Sequence, residues 1–466
     1  MSSEKNEHDA KNINRRQFLM AGAAGAAGAA GIAFAVCGKT LNTNSNTGIR
    51  TAGLTDAQQS ELRGIPMESK PNIILMVPDN LGCEAVGYYG DGRFETPRLN
   101  AMAAEGVVFD NCLIATPLCS PARCGWNTGR HPYRVGINSQ TNYKKPESGL
   151  SLEEVSLAWM LRSAGYTTGL FGKWNLGYAE KFNPLHHGFH EFYGSNAGHA
   201  DYYTHLYNRD MKSHFFRGLE PVADEGYFDT LFTDEAIQFI EQRSKEPAPF
   251  YLNLTFYAPH GPYQAPPGYY HSDDPEVNYR SMVEYLDLCV GRVLDAVNQA
   301  DIAENTLVVF LGDQGGSHIN GYGRTLWERS LKVICNAVWP GRIAPNTRSS
   351  TPWVHYDLYS TFATLAGAQI PNDRIIDAQN IWPLFEGKDQ PLDRRLHWTF
   401  RTEDAVREGD LKLHATDGTP DGLFDLSNDP DEKSNLLTTA TDKVEDMMAK
   451  HHLWKQACEA QQTSKA

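Results

Sequence analysis

Asn72-Ile73-Ile74-Leu75-Met76-Val77 runs directly into Pro78-Asp79-Asn80. The apolar run has the length of a strand rather than a helix, and its lack of polar alternation marks a strand covered on both faces. The arrangement recurs. Tyr166-Thr167-Thr168-Gly169-Leu170-Phe171 ends at Gly172-Lys173, Phe250-Tyr251-Leu252-Asn253-Leu254-Thr255-Phe256 at Ala258-Pro259-His260, and Thr306-Leu307-Val308-Val309-Phe310-Leu311 at Gly312-Asp313-Gln314. Helical segments lie between these runs. One is Ser151 to Ala164, opened by the capping box Ser151-Leu152-Glu153-Glu154 and closed by Gly165; another is Ser281 to Ala300. Strands alternating with helices imply an α/β fold, a mostly parallel mixed sheet sandwiched by helices, which binds ligands at the carboxyl ends of its strands. Asp79, Lys173, His260 and Asp313 then converge on one edge. Taken singly, each reads as a turn residue or a solvated loop side chain; at corresponding positions they argue for a site.

Cys119-Ser120-Pro121-Ala122-Arg123 supplies a nucleophile for that site. Pro121 suits the first turn of a helix, which puts Cys119 at the helix mouth. Arg123, four residues on, lies on the same side, so a cation and free backbone N–H groups face one spot suited to an oxyanion.

The bulk composition limits the alternatives. The 466 residues are enough for one large domain and a smaller one. Acidic residues outnumber basic ones by 57 to 42, which argues against a nucleic-acid surface. Asn14-Arg15-Arg16-Gln17-Phe18-Leu19 is a twin-arginine signature followed by an Ala/Gly tract from Ala21 to Val36. That tract is too short and glycine-rich to span ~30 Å of hydrocarbon. Residues 1–36 therefore read as a signal segment for the twin-arginine export machinery, sending the protein to the periplasm or outside, with Cys37 a weak lipoprotein site. Residues 37–70 form a polar leader. Eight cysteines occur without C-x-x-C metal spacing.

The cysteine run resembles the C-x-P-x-R signature of the sulfatase family. Pro71-Asn72-Ile73 through Asp79, Thr128-Gly129-Arg130, Gly172-Lys173-Trp174 with Leu176-Gly177, Pro259-His260-Gly261-Pro262-Tyr263 and Trp339-Pro340-Gly341 add to the likeness, as do Ala405 to Leu413 and Leu423-Phe424-Asp425-Leu426. The resemblance implies an arylsulfatase-like hydrolase of the alkaline phosphatase-like superfamily, acting on an aryl sulfate or sulfated sugar. In that family a maturation enzyme oxidises the cysteine to formylglycine (3-oxoalanine), whose hydrate attacks sulfur and then expels sulfate by collapse to the aldehyde. Carried over, Asp79, Asn80, Asp313 and Gln314 hold the metal with an oxygen of modified Cys119. Their all-oxygen character suits Ca²⁺, with Mg²⁺ as the alternative. Arg123 and Lys173 stabilise formylglycine and sulfate oxygens, and His260 contacts sulfate or the bridging oxygen. Asn175 and Arg324 are expected to bind substrate.

This chain departs from the family at several positions. A second Asp is usual at Asn80, His at Asn175 and Asn or His at Gln314, while the second active-site lysine falls on Gly323, beside Arg324. Other readings remain open: a phosphoesterase of the same superfamily using a Ser or Thr and two zinc ions, for whose several His ligands only His260 and His318 are placed, a thiolate phosphatase built on Cys124 to Arg130, and a sulfated-glycan binder whose active site has decayed. The catalytic domain is expected over 71–387. A small α+β domain follows over 388–466, with a short antiparallel sheet and a helix around Ala440 to Ala457. Gly198 to His205 are candidates for the substrate mouth.

Overall fold

A computed structural model describes residues 70–90, 92–315 and 323–463. The twin-arginine segment, Cys37, the leader up to residue 69 and His318 lie outside the described residues. The strand that opens at Asn72 is β1 (Asn72–Val77). Its residues alternate between two cores, Ile73, Leu75 and Val77 facing one and Ile74 and Met76 the other. That explains the unbroken apolar run: helices cover both faces of a central strand.

β1 lies in a ten-stranded sheet. In chain order its other strands are β2 (Val107–Phe109), β3 (Thr167–Lys173), β4 (Glu191–Ser195), β5 (Phe215–Arg217), β6 (Glu220–Pro221), β7 (Phe250–Thr255), β8 (Thr306–Leu311), β9 (Cys335–Val338) and β10 (Thr347–Ser349). Across the sheet the order is β10-β2-β9-β8-β1-β7-β3-β4-β5-β6. The segment from β8 to β4 is wholly parallel, while β9 pairs antiparallel with β8, and β5 with β4. Helices α1 (Pro97–Ala104), α4 (Phe228–Arg243) and α5 (Pro275–Gln299) cover one face. The other face carries α2 (Cys119–Thr128), α3 (Leu157–Ser163) and α6 (Asp357–Ala366). The expected fold class is therefore what the chain adopts.

Two helix starts differ from expectation. Helix α3 begins at Leu157, capped by Ser156, whose Oγ accepts from Trp159 N at 3.0 Å. Ser151 to Glu154 is a turn instead, because Glu154 is buried against Arg130 at 2.6 Å and cannot close a capping box. Helix α5 starts at Pro275, earlier than expected, with the Asp274 carboxylate accepting from Glu276 N at 2.9 Å.

A separate antiparallel sheet follows: β11 (Arg395–Phe400), β12 (Glu403–Glu408), β13 (Leu411–Thr416) and β14 (Thr419–Asp425). Leu396, Trp398, Phe400 and Ala405 join one large core, and Trp398 Nε1 donates to the Ile114 carbonyl at 2.7 Å. Val406, Leu413, Ala415 and Leu423 face Val444, Met447 and Met448 of helix α7 (Thr441–Thr463).

Candidate active site

The parallel strands deliver their polar groups to one edge, as their common direction requires. Asp79 follows β1 by two residues, and its backbone N–H donates to the Ala258 carbonyl beyond β7 at 3.0 Å. Asp313 follows β8 by two residues, with its N–H 3.4 Å from the Pro78 carbonyl. Lys173 is the last residue of β3 rather than part of the following turn, and its carbonyl accepts from Thr255 Oγ1 at 2.8 Å. Cys119 is the first residue of α2, with Pro121 in the first turn.

Four fully buried ionic groups meet here. Arg123 Nη2 donates to Asp313 Oδ2 at 3.1 Å and to Asp79 Oδ2 at 3.3 Å, while Nη1 donates to the Lys173 carbonyl at 2.8 Å. Lys173 Nζ bonds the same Asp79 Oδ2 and lies 5.6 Å from the Tyr257 ring centre. With Oδ2 taken by two cations, Asp79 Oδ1 is left facing Cys119 Sγ at 3.6 Å. Asp313 Oδ1 accepts from Asn80 N at 3.1 Å. Gln314 Nε2 bonds Asn80 Oδ1 and donates to Cys119 Sγ at 3.2 Å.

The charges shift one another. Burial alone raises the Asp79 carboxyl, but Lys173, His260 and Arg123 together hold it below the ordinary carboxylate value. Burial, and then the charge of Asp79, push Asp313 up to about 6. Burial, and then Asp79, push the Cys119 thiol up to about 12, so the unmodified side chain is a neutral thiol at pH 7. Burial pulls His260 down to about 4 against the opposing pull of Asp79. His260 Nδ1 lies 2.6 Å from the Gly261 carbonyl, and its ring stacks on His199 with centres 5.6 Å apart.

This donor set fits a hard divalent cation. Asp79, Cys119 and His260 each bring a ligand atom within 4.8 Å of the others, and Asp313 and Asn80 add oxygens beside them. The Gln314 amide presents oxygen instead of nitrogen to the same point when turned over, since the two ends differ only in hydrogen bonding. Two carboxylates offset two cations, so a dication leaves the centre positive, as an anionic ester requires.

The remaining expected residues stand around this centre. Asn175, at φ 54°, donates through Nδ2 to Gln140 Oε1 at 3.1 Å, and that oxygen also accepts from Ser120 N at 3.1 Å. Arg324 is exposed and makes no hydrogen bond to the buried carboxylates; it lines a neighbouring cleft. Of the proposed mouth residues, His199 stacks on His260, and Tyr202 Oη donates to the His260 carbonyl at 2.7 Å. Cys124 lies in the interior of α2, fully buried, and Arg130 is paired with Glu154, which removes the geometry of a phosphatase loop. Sequence reading missed Asp229. Its carboxylate accepts from Tyr257 N at 2.8 Å and Ala258 N at 3.0 Å, and so fixes the turn that carries His260. It also missed Gln140. An Asp in the first turn of a helix and a glutamine in a loop carry no local signal for these roles.

Known proteins that this chain is similar to include sulfatases and carbohydrate-binding relatives of the same fold. The Sulfatase family model matches residues 71–368. The chain is 32% identical over 374 residues to N-acetylgalactosamine-6-sulfatase of Mus musculus, covering 74% of this chain and 72% of that one. It is 27% identical over 500 residues to steryl-sulfatase of Homo sapiens, covering 80% and 85%. Among solved structures, Ps i-CgsB in complex with k-i-k-neocarrahexaose superimposes with a TM-score of 0.76 at 28% identity, covering 83% of this chain and 93% of that one.

Proposed function

The chain belongs to the sulfatase family and is a sulfuric ester hydrolase; from that premise we propose that it removes sulfate from a sulfated carbohydrate, with a formylglycine made from Cys119 as nucleophile. The observation that carries this reading is the buried Cys119 Sγ, 3.6 Å from Asp79 Oδ1 and 3.2 Å from Gln314 Nε2, at the mouth of a helix. A sugar substrate is supported by the N-acetylgalactosamine-6-sulfatase relatives and by the oligosaccharide complex of Ps i-CgsB.

Formylglycine supplies what the neutral thiol lacks, a hydrated aldehyde with one oxygen to attack sulfur and a second to release it. Ca²⁺, or Mg²⁺ in its place, would be held by Asp79, Asn80, Asp313, Gln314 and the modified side chain at position 119, and would lower the pKa of the nucleophile there. Arg123 and Lys173 hold Asp79 ionised and present positive charge where the sulfate oxygens gather. Burial favours neutral His260; with Nδ1–H turned to the Gly261 carbonyl, Nε2 is an acceptor, and it donates to the sulfate or the bridging oxygen once it takes up a proton. Asn175 and Arg324 bind substrate around this centre. The chain reaches the periplasm or the outside through the twin-arginine machinery, on the strength of Asn14 to Leu19, after a maturation enzyme has acted on Cys119.

Mass spectrometry of the Cys119 peptide, from a host with a working maturation system, tests the chemistry. Conversion to formylglycine is expected, together with sulfate release from 4-nitrophenyl sulfate that Cys119→Ala abolishes. An unmodified thiol, or a Cys119→Ala variant as active as the parent, overturns the nucleophile assignment. A protein that binds sulfated sugars without any turnover is instead the decayed binder.

A further inference from the structure

Beside the buried centre lies a cleft of about 580 Å³. It is lined by Leu118, Gln140, Arg324, Phe400 and Arg401 among others, with no carboxylate residue among the described residues of its wall. Leu118 directly precedes Cys119, and Gln140 is bonded to both Ser120 and Asn175, so the cleft adjoins the candidate active site. Its two cations come from separate parts of the fold: Arg324 from the segment that follows Asp313, and Arg401 from the turn between β11 and β12.

Their charge, backbone and placement together mark this pair. Both are exposed, and neither holds a carboxylate among the described residues. Exposed Arg217, Arg329 and Arg348 do, pairing with Glu235 at 2.6 Å, Asp431 at 2.8 Å and Asp110 at 2.5 Å, whereas exposed Arg162, Arg209 and Arg342 hold none among the described residues but do not line this cleft. In a chain of net charge −15, two unneutralised guanidinium groups in one cleft stand out from the acidic background. Both also occupy left-handed backbone, at φ 62° and 58°, where glycine or asparagine sits more easily. The turn therefore does not by itself account for the arginines. The Arg401 guanidinium is also braced, its central carbon 4.9 Å from the Phe400 ring centre.

We propose that this cleft is a second anion subsite: with the scissile sulfate at Cys119, Arg324 and Arg401 grip another anionic group on a neighbouring sugar, so the preferred substrate is a polyanionic oligosaccharide. The planar guanidinium fork matches sulfate and carboxylate alike, so either group can serve as the second anion. The proposal rests on the sulfatase reading for the position of the scissile ester, but the subsite itself is tested by binding alone.

The full chain carrying Cys119→Ala is titrated calorimetrically with a hexasaccharide of sulfated hexosamine and uronic acid. The same sugar with its carboxyls reduced, and again with its sulfates removed, forms the other arms. Arg324→Gln and Arg401→Gln should each weaken binding about 5–10-fold, and Arg401→Glu further. Raising salt from about 0.05 to about 0.5 M should cost the parent more affinity than either variant. An arginine dependence that survives carboxyl reduction assigns the second group as sulfate; one that survives desulfation assigns it as carboxylate. Lys388→Gln, an exposed charge outside the cleft, controls for the general field. A parent that binds none of the sugars, Arg401 variants that bind like the parent, or an equal loss in Lys388→Gln each overturn the proposal. Failure of the unsubstituted enzyme to hydrolyse 4-nitrophenyl sulfate, with the arginine dependence intact, overturns the sulfatase reading and leaves the subsite standing.

Discussion

Arg123 is the side chain that ties the centre together, because a single nitrogen reaches both Asp79 and Asp313 and the other holds the end of β3. A lysine is a point charge and cannot make these contacts at once. Arg123→Met should destabilise the protein by about 3–5 kcal/mol in urea titration, since it leaves two buried carboxylates short of a partner. Arg123→Lys should fall between the two and lose most sulfate release. An Arg123→Met protein as stable as the wild type means that the guanidinium is not what neutralises the pair. The same scale shows where reading the sequence stops. Arg123 and Asp313 are 190 residues apart, and no local pattern announces that they touch. Asp229 looks like an ordinary acid in a helix's first turn, yet burial pushes its carboxyl up to about 7 while it holds the backbone before His260.

At the level of elements, the centre depends on how closely β3 approaches β7. Gly172 has φ +115°, and a Cβ there would stand 1.8 Å from the Thr255 carbonyl oxygen. Any side chain must push the strands apart just before Lys173. Gly172→Ala should therefore cost more than about 2 kcal/mol. It should also lower kcat more than a comparable change at an open position such as Gly341, where a Cβ meets nothing within 4 Å. Equal melting temperatures and rates for the two variants would show that the strand end tolerates displacement. Helix α2 is the complementary element. Its sequence marked its start through Pro121, and its first residue is Cys119, facing the strand ends.

On the scale of the whole molecule, the antiparallel sheet is tied to the short helical turn Glu328–Leu331 that follows the strand ends. Glu328 accepts from Arg407 at 2.6 Å and Lys412 at 2.9 Å, and Lys412 also meets Glu432 at 3.0 Å, all buried. Burial opposes ionisation of Glu328, but Lys412 and Arg407 hold it below the usual carboxylate value. A depressed folded pKa means that its stabilisation is present at neutral pH and is lost as pH falls from the unfolded value of ~4.3 through the folded one. Glu328→Gln should lower stability by about 3 kcal/mol at pH 7 and flatten the acid limb of the stability curve; an unaltered acid limb would place the acid sensitivity elsewhere. This network also fixes the chain between Arg324 and the sheet that carries Arg401, on which the proposed subsite depends. The sequence alone determined the sandwiched parallel sheet, the strand-end positions of Asp79, Lys173, His260 and Asp313, and the helix opening at Cys119, because apolar periodicity and first-turn chemistry act over a few neighbouring residues. Only the tertiary structure decided that Glu154 pairs with Arg130 instead of capping a helix, that Arg324 stands in a cleft beside Arg401, and that Asp229 and Gln140 brace the site. Those contacts join segments distant in sequence, and packing selects them.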